Sequence, residues 1–237
     1  MQHSQIVTIT FFRYHGFLPR WRAFGRMGRA VAAMQGIPGL SFGRMLGSGG
    51  DKGFSIWPNW GVYGLLAVWE SEAAAQAYFA SDAFFAACSA SSTERWTVYM
   101  RTYKVHGAWD GMIPFQITAP AETAQPIGVL TRATIHAHHL WRFWRFVPSV
   151  SRSAVQREGL IFSIGIGELP LIQQATFSLW TDSLAMQRYA YQSPHHSAVV
   201  RKTRELGWYK EELFARFVPY KTEGNWEGIN PLQDYLQ

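Results

Sequence analysis

The stretch "YQSPHHSAVVRKTRELGWYKEELFARF", residues 191–217, sets two adjacent histidines behind a Ser-Pro step. Imidazole binds metals and moves protons near neutral pH, so the pair is the first place to look for chemistry. Ser193 suits a helix N-cap and Pro194 the first helical position, so a helix should begin here and carry His195 and His196 in its first turn. Val199, Val200 and Leu206 form the apolar stripe of that helix. Steps of about 100° put His195 on one edge of the stripe and His196 on the other, so either can turn inward. A histidine on a helix beside a sheet-lined, aromatic pocket is one way to hold heme iron, leaving the opposite axial site for oxygen or substrate. The plainer reading is a packed or solvated pair that binds nothing.

Two polar residues interrupt apolar, strand-like runs: Arg132 in "LTRAT" and Gln174 in "QQATF". Each can project into a pocket as a hydrogen-bond donor, or turn to solvent or a salt bridge. Arg132 can instead pair with a carboxylate such as a heme propionate, which its planar fork matches. Cys88 follows "SDAFFAA" on an Ala-rich helix and reads as a buried, inert thiol. "HAHH" at 136–139 puts His136 and His138 on one face of a strand, as a metal pair or as a solvated turn. "GSGGDKG" lacks the GxxxxGK[ST] spacing of a phosphate loop. It reads as a turn or lid with Phe54, Trp57 and Trp60 near the mouth, touching substrate or packing the loop down. "WRFWRF" at 141–146 alternates aromatics with arginines and suits either a membrane surface or a helix with one packed face.

These residues sit in a chain of 237 residues that is 48% hydrophobic and 16% charged, which argues against disorder. Eleven Trp, 10 Tyr and 16 Phe supply an interior or pocket suited to a large apolar partner. The formal charge of +6 fits a nucleic acid, an anionic membrane or an acidic protein. No RNP-type or helix-turn-helix pattern supports nucleic acid. One cysteine excludes an intrachain disulfide and any thiolate cluster, which favours a reducing compartment. With no secretory leader and no run of about 18 apolar residues, the expected location is the cytoplasm, with peripheral contact at a membrane surface.

An internal repeat positions these residues. Trp21-Arg22 matches Trp141-Arg142, Gly39-Leu40 matches Gly159-Leu160, and Gly47 matches Gly167, all at a shift of 120. Trp69 matches Trp180 at a shift of 111, and Ser81 and Trp96 match Ser193 and Trp208 at a shift of 112. Each half reads β-α-β-β-α-β. The expected fold is therefore α+β: two tandem ferredoxin-like βαββαβ units forming a dimeric-α+β-barrel-like arrangement within one chain. The first unit spans 1–116, a Pro-containing linker 117–126, and the second unit 127–237. At these shifts His195 and His196 match Ala83 and Phe84, so a ligated iron would belong to the second unit alone.

The stretches "FGRMLGSGGDKGF", "PNWGVYGLLAVW", "WDGMIPF", "LTRAT", "IGIGELP", "QQATFSLW", the Pro194-His195 pair and "GWYKEELFARF" followed by "WEG" carry a resemblance over almost the whole chain. It resembles the spheroidene monooxygenase family, the acyclic carotenoid 2-ketolases of photosynthetic bacteria. The resemblance implies heme b (iron protoporphyrin IX) with His195, which has a counterpart in the family pattern where His196 has none, as axial ligand. It implies O2-dependent oxidation near the end of an acyclic carotenoid, first to an alcohol and then to a ketone, with electrons from a ferredoxin-type donor. Arg132 and Gln174 are then the expected catalytic donors on the distal side. His136, His138 and His139 depart from the family pattern. Two other readings share the scaffold: a heme lyase or dehydratase of the aldoxime type, which needs no electron supply, and a non-enzymatic heme-binding protein.

Overall fold

Alternating runs rich in β-branched and aromatic residues become strands that bury one side chain in two on each face, and the Ala- and Arg-rich runs become the helices that cover them. The computed structural model describes residues 4–50, 57–120, 125–141, 158–169, 171–192 and 206–236. In order these give β1 (Ile6–Arg13), α1 (Phe17–Ala33), β2 (Leu40–Gly49), β3 (Pro58–Trp69), α2 (Glu72–Ser81), α3 (Ala83–Ala90) and β4 (Glu94–Gly107). Then follow β5 (Ile127–Ile135), β6 (Leu160–Leu169), β7 (Gln173–Trp180), α4 (Ser183–Gln192) and β8 (Tyr209–Gly224). The run expected as one Ala-rich helix is two. Asp82 takes an extended backbone that ends α2, and its carboxylate accepts the Phe85 N–H at 2.9 Å, which starts α3.

The eight strands close into a barrel in the order β1-β3-β2-β6-β7-β5-β8-β4, with every pairing antiparallel. The fold is α+β, as expected. The order divides into two like halves, β4-β1-β3-β2 and β8-β5-β7-β6, joined where β2 meets β6 and β4 meets β8. Their registers agree: Ile6 pairs with Trp69 as Ile127 does with Trp180, and Met45 pairs with Leu65 as Gly165 does with Thr176. One expected correspondence is corrected. Trp96 pairs with Phe11, and Leu213 holds the matching place beside Arg132, so the closing strands correspond at a shift of 117 rather than 112. Trp208 precedes β8 and is buried with Ile135 instead. A shared tryptophan drew the sequence correspondence to the wrong residue.

Aromatic side chains fill the barrel. Phe11 lies 5.3 Å from Phe162 and 5.9 Å from both Trp96 and Trp226, ring centre to ring centre, and Trp96 lies 4.9 Å from Phe162. Phe11, fully buried, contributes roughly 1.5–3 kcal/mol. Two tight turns plug the barrel, Trp109–Met112 and Trp226–Ile229, each with positive φ at both central residues and each placing its tryptophan in the core. The chain leaving β4 is held down: Phe115 packs on Phe217 at 5.2 Å, and the N–H groups of Thr118 and Ala119 donate to the Thr102 carbonyl.

Candidate functional site

Strand alternation sorts the polar residues onto two faces. Arg132 pairs with Ala175 and Leu213, both in the barrel core, so its side chain points inward. There it meets three carboxylates. Its guanidinium bonds Glu211 through one nitrogen, and through another it bonds Asp110 at 3.0 Å and Glu168 at 3.2 Å. Arg44 bridges the same group, reaching Asp110 and Glu168 at 2.9 Å each. The Trp109 indole N–H donates to Glu168 at 3.1 Å, and the Arg132 guanidinium stacks over the Trp109 ring at 5.0 Å. Burial pushes the Glu211 carboxyl up, but the N–H groups of Gly111 and Asp110, with Arg132, outweigh it and hold that carboxyl below the usual range. This cluster locks the tight turn onto the barrel end. Arg132, expected at a pocket or a propionate, is 3% exposed and spends its fork on protein carboxylates.

The outward face tells the two halves apart. In the first half it carries Met45 on β2 and Tyr63, Leu65 and Ala67 on β3, all packed in one apolar cluster with Ala23, Ala30 and Met34. In the second half the register-matched positions are Gly165 on β6 and Gln174, Thr176 and Ser178 on β7. Bulk and hydrocarbon are replaced by hydrogen and short polar groups. Gln174 pairs with Ala133 and Gly167, small residues on both sides. On the same face of β8, opposite Val129, stands Arg216, whose buried Nε has no hydrogen-bond partner among the described residues. A small, polar floor with a guanidinium at one margin can seat a flat apolar ring system bearing acidic groups.

The other expected residues fall as follows. His195, His196 and Phe54 lie outside the described residues. Trp57 is 78% exposed, and Trp60 is 49% exposed with its ring edge-on to Phe24 at 5.0 Å. Cys88 is fully buried, and burial pushes its thiol up to about 11, so it stays protonated, as a structural thiol does. His136, His138 and His139 gather at a 3-10 turn, with the His138 and His139 rings 4.0 Å apart. No group of three or more metal-binding side chains occurs among the described residues. A cavity of 300 Å³ lies under α2 and α3, lined by Phe79, Phe85, Thr97 and Tyr99, and touches none of the expected site residues. The sequence reading missed Arg44, Asp110, Glu168 and Glu211. For Arg44, Glu168 and Glu211 the signal was a charge at an inward position of an apolar alternating strand in "FGRML", "IGIGEL" and "YKEEL"; Asp110, in the Trp109–Met112 turn, gave none.

A scan against protein-family profiles gives no match. The chain is similar to the spheroidene monooxygenase of Cereibacter sphaeroides, 37% identical over 98% of this chain and 72% of that protein. It is similar to the spheroidene monooxygenase of Rhodobacter capsulatus, 34% identical over 96% of this chain and 95% of that one. The enzyme of the same name from Rubrivivax gelatinosus is 33% identical over 86% and 78%. Among solved structures, an aldoxime dehydratase superposes with a TM-score of 0.66 over 98% of this chain and 87% of that one. At 13% identity that likeness shows the fold alone. Nearly full-length identity above 30% with three proteins of one name goes further: the chain belongs to the spheroidene monooxygenase family.

Proposed function

We propose that the outward face of β5–β8 seats heme b, with His195 as axial ligand, and that the enzyme oxidises C2 of an acyclic carotenoid such as spheroidene to the alcohol and then the ketone. The observation that carries this reading is the exchange of Met45, Tyr63 and Leu65 for Gly165, Gln174 and Thr176 between register-matched faces. The fit is chemical as well as steric. The Gln174 amide and the Thr176 hydroxyl provide neutral hydrogen-bonding groups beside Gly165, while the buried Ser178 hydroxyl accepts the Trp180 indole N–H. Arg216, rather than Arg132, stands on this face; its guanidinium bonds the Tyr103 side chain, its Nε is buried without a partner among the described residues as that of Arg132 is, and its fork matches a propionate.

When bound, the heme supplies O2 activation, which takes two electrons for each oxygen atom inserted. A ferredoxin-type protein is the proposed donor, and the chain's charge of +6 suits an acidic carrier. Phe54, Trp57 and Trp60 are the proposed apolar contacts for the polyene, supported by the exposure of the two tryptophans. The like strand orders and registers of the halves support two tandem ferredoxin-like units, 1–116 and 127–237, joined through 117–126. The single buried cysteine supports a reducing, cytoplasmic setting. No helix among the described residues is long and apolar enough to cross a membrane.

The test is an absorption spectrum and a turnover assay on the purified protein. A Soret band that shifts or vanishes in His195→Ala and survives in His196→Ala supports the ligand. Polyene oxidation that requires a reductant supports the oxygenase. A protein that takes up no hemin, or product formed without net electron input, overturns the reading.

A further inference from the structure

Helix α1 carries two apolar stripes. Ala23, Met27 and Ala30 face the barrel, where the sulfurs of Met27 and Met34 lie over Gly47 and Gly43. Phe17, Trp21, Phe24 and Val31 form a second stripe about 110° round the helix, and it faces solvent: Phe17 is 82% and Trp21 63% exposed. The rings make a continuous ridge, Phe17 on Trp21 at 6.5 Å, Trp21 on Phe24 at 6.2 Å and Phe24 on Trp60 at 5.0 Å. Exposed aromatics in contact with one another are a surface with a purpose, since scattered singles are the ordinary case.

Charge identifies the partner. Phe17–Ala33 contains Arg20, Arg22, Arg26 and Arg29 and no acidic residue. Arg20 is tied to the Tyr14 carbonyl and Arg26 to Ser91, while Arg22 and Arg29 stand exposed along the helix. Arg22 and Arg29 lie about 135° round the helix from the aromatic stripe, and an aromatic ridge on a helix with four arginines and no acid matches the hydrocarbon–headgroup boundary of a bilayer carrying anionic lipid. A second copy of the chain fits less well, because a two-fold interface through this ridge would pair helices that each carry four arginines and no acid. We propose that the α1 ridge docks the enzyme on an anionic membrane surface. The proposal deepens the polyene reading, since a substrate of that class is dissolved in the bilayer.

The experiment is flotation of the purified protein, without polyene, on vesicles of phosphatidylcholine alone or mixed with phosphatidylglycerol. The wild type binds the mixed vesicles, and raising salt from about 0.1 M to about 0.5 M weakens binding. Phe17→Ser/Trp21→Ser lowers partition about tenfold or more, and Arg22→Gln/Arg29→Gln abolishes the preference for phosphatidylglycerol. Both variants melt like the wild type by circular dichroism, and both turn over micelle-dissolved polyene at the wild-type rate. That second assay reads the oxidation reaction apart from docking. Absence of wild-type protein from the floated vesicles overturns the proposal. So does a wild-type dimer that Phe17→Ser/Trp21→Ser converts to monomer while vesicle binding is unchanged.

Discussion

Arg132 and Gln174 lie on neighbouring strands one register step apart and face opposite sides of the barrel wall, Arg132 across from Ala175 and Gln174 across from Ala133. That single step separates two jobs. The inward face is closed by aromatic packing and an ion cluster, so a ligand there would have to displace Phe11, Trp96 and Phe162. The outward face of the second half carries Gly165, Gln174 and Thr176 where the first half carries Met45, Tyr63 and Leu65.

Arg132 should therefore matter for stability before it matters for chemistry. Arg132→Met leaves Asp110 and Glu168 with Arg44 and takes from Glu211 its arginine partner, and should cost about 3 kcal/mol in urea unfolding. Arg132→Lys should recover part of that loss, because one ammonium cannot reproduce a fork that serves three carboxylates. Where either variant is folded, its Soret maximum after hemin uptake should match that of the wild type. A displaced Soret would return Arg132 to the cofactor.

The same cluster gives the fold an acid sensitivity. Glu211 is held below the usual carboxylate range in the folded chain, so it contributes stability above its unfolded value of about 4.3. That contribution is lost as pH falls through the lower, folded value. A melting series from pH 7 downward should show the loss beginning below about pH 4.5, and Glu211→Gln should flatten that part of the curve. An unchanged slope in Glu211→Gln would show that other carboxylates govern acid unfolding.

Two glycines near the plugged end separate strain from collision. Gly107 has φ +83, and a Cβ there would lie 2.1 Å from the Glu212 carbonyl oxygen on β8. Gly111 has φ +76 with open space around it. Gly111→Ala should cost the left-handed penalty alone, about 1 kcal/mol. Gly107→Ala must also push β4 from β8 and should cost at least about 3 kcal/mol. Chemical denaturation of the pair checks the ordering.

Much of this was legible in the chain. The repeat of Trp21-Arg22, Gly39-Leu40 and Trp69 fixed which segments correspond, and alternation in "VTITFFRY" and "QATFSLW" located the strands. What alternation cannot say is which face is which when both are apolar, as they are around Arg132 in a closed barrel. Inward and outward phases of β5 read alike until β7 and β8 are set beside it. The carboxylates gathering on Arg132 come from a turn and two distant strands, Asp110, Glu168 and Glu211, and no local spacing announces such a meeting. Asp82 dividing α2 from α3 was legible in principle as a Ser-Asp step within an alanine run, but helix propensity on either side hid it.

The comparison of faces yields the sharpest test, because each half can be rewritten in the other's residues. Gly165→Met with Thr176→Leu should fill the second face as Met45 and Leu65 fill the first, on strands whose register is already identical. The new side chains add apolar surface to a sheet built to carry it, so the fold should persist, while hemin uptake should weaken at least about tenfold through lost room. The reverse pair, Met45→Gly with Leu65→Thr, opens a void in a cluster where Leu65 is 1% and Met45 4% exposed. That void should cost about 4 kcal/mol or more, shown by urea unfolding, and should confer no second heme. If the filled variant instead takes up hemin as readily as the wild type, the outward face of β6 and β7 is not where the cofactor lies.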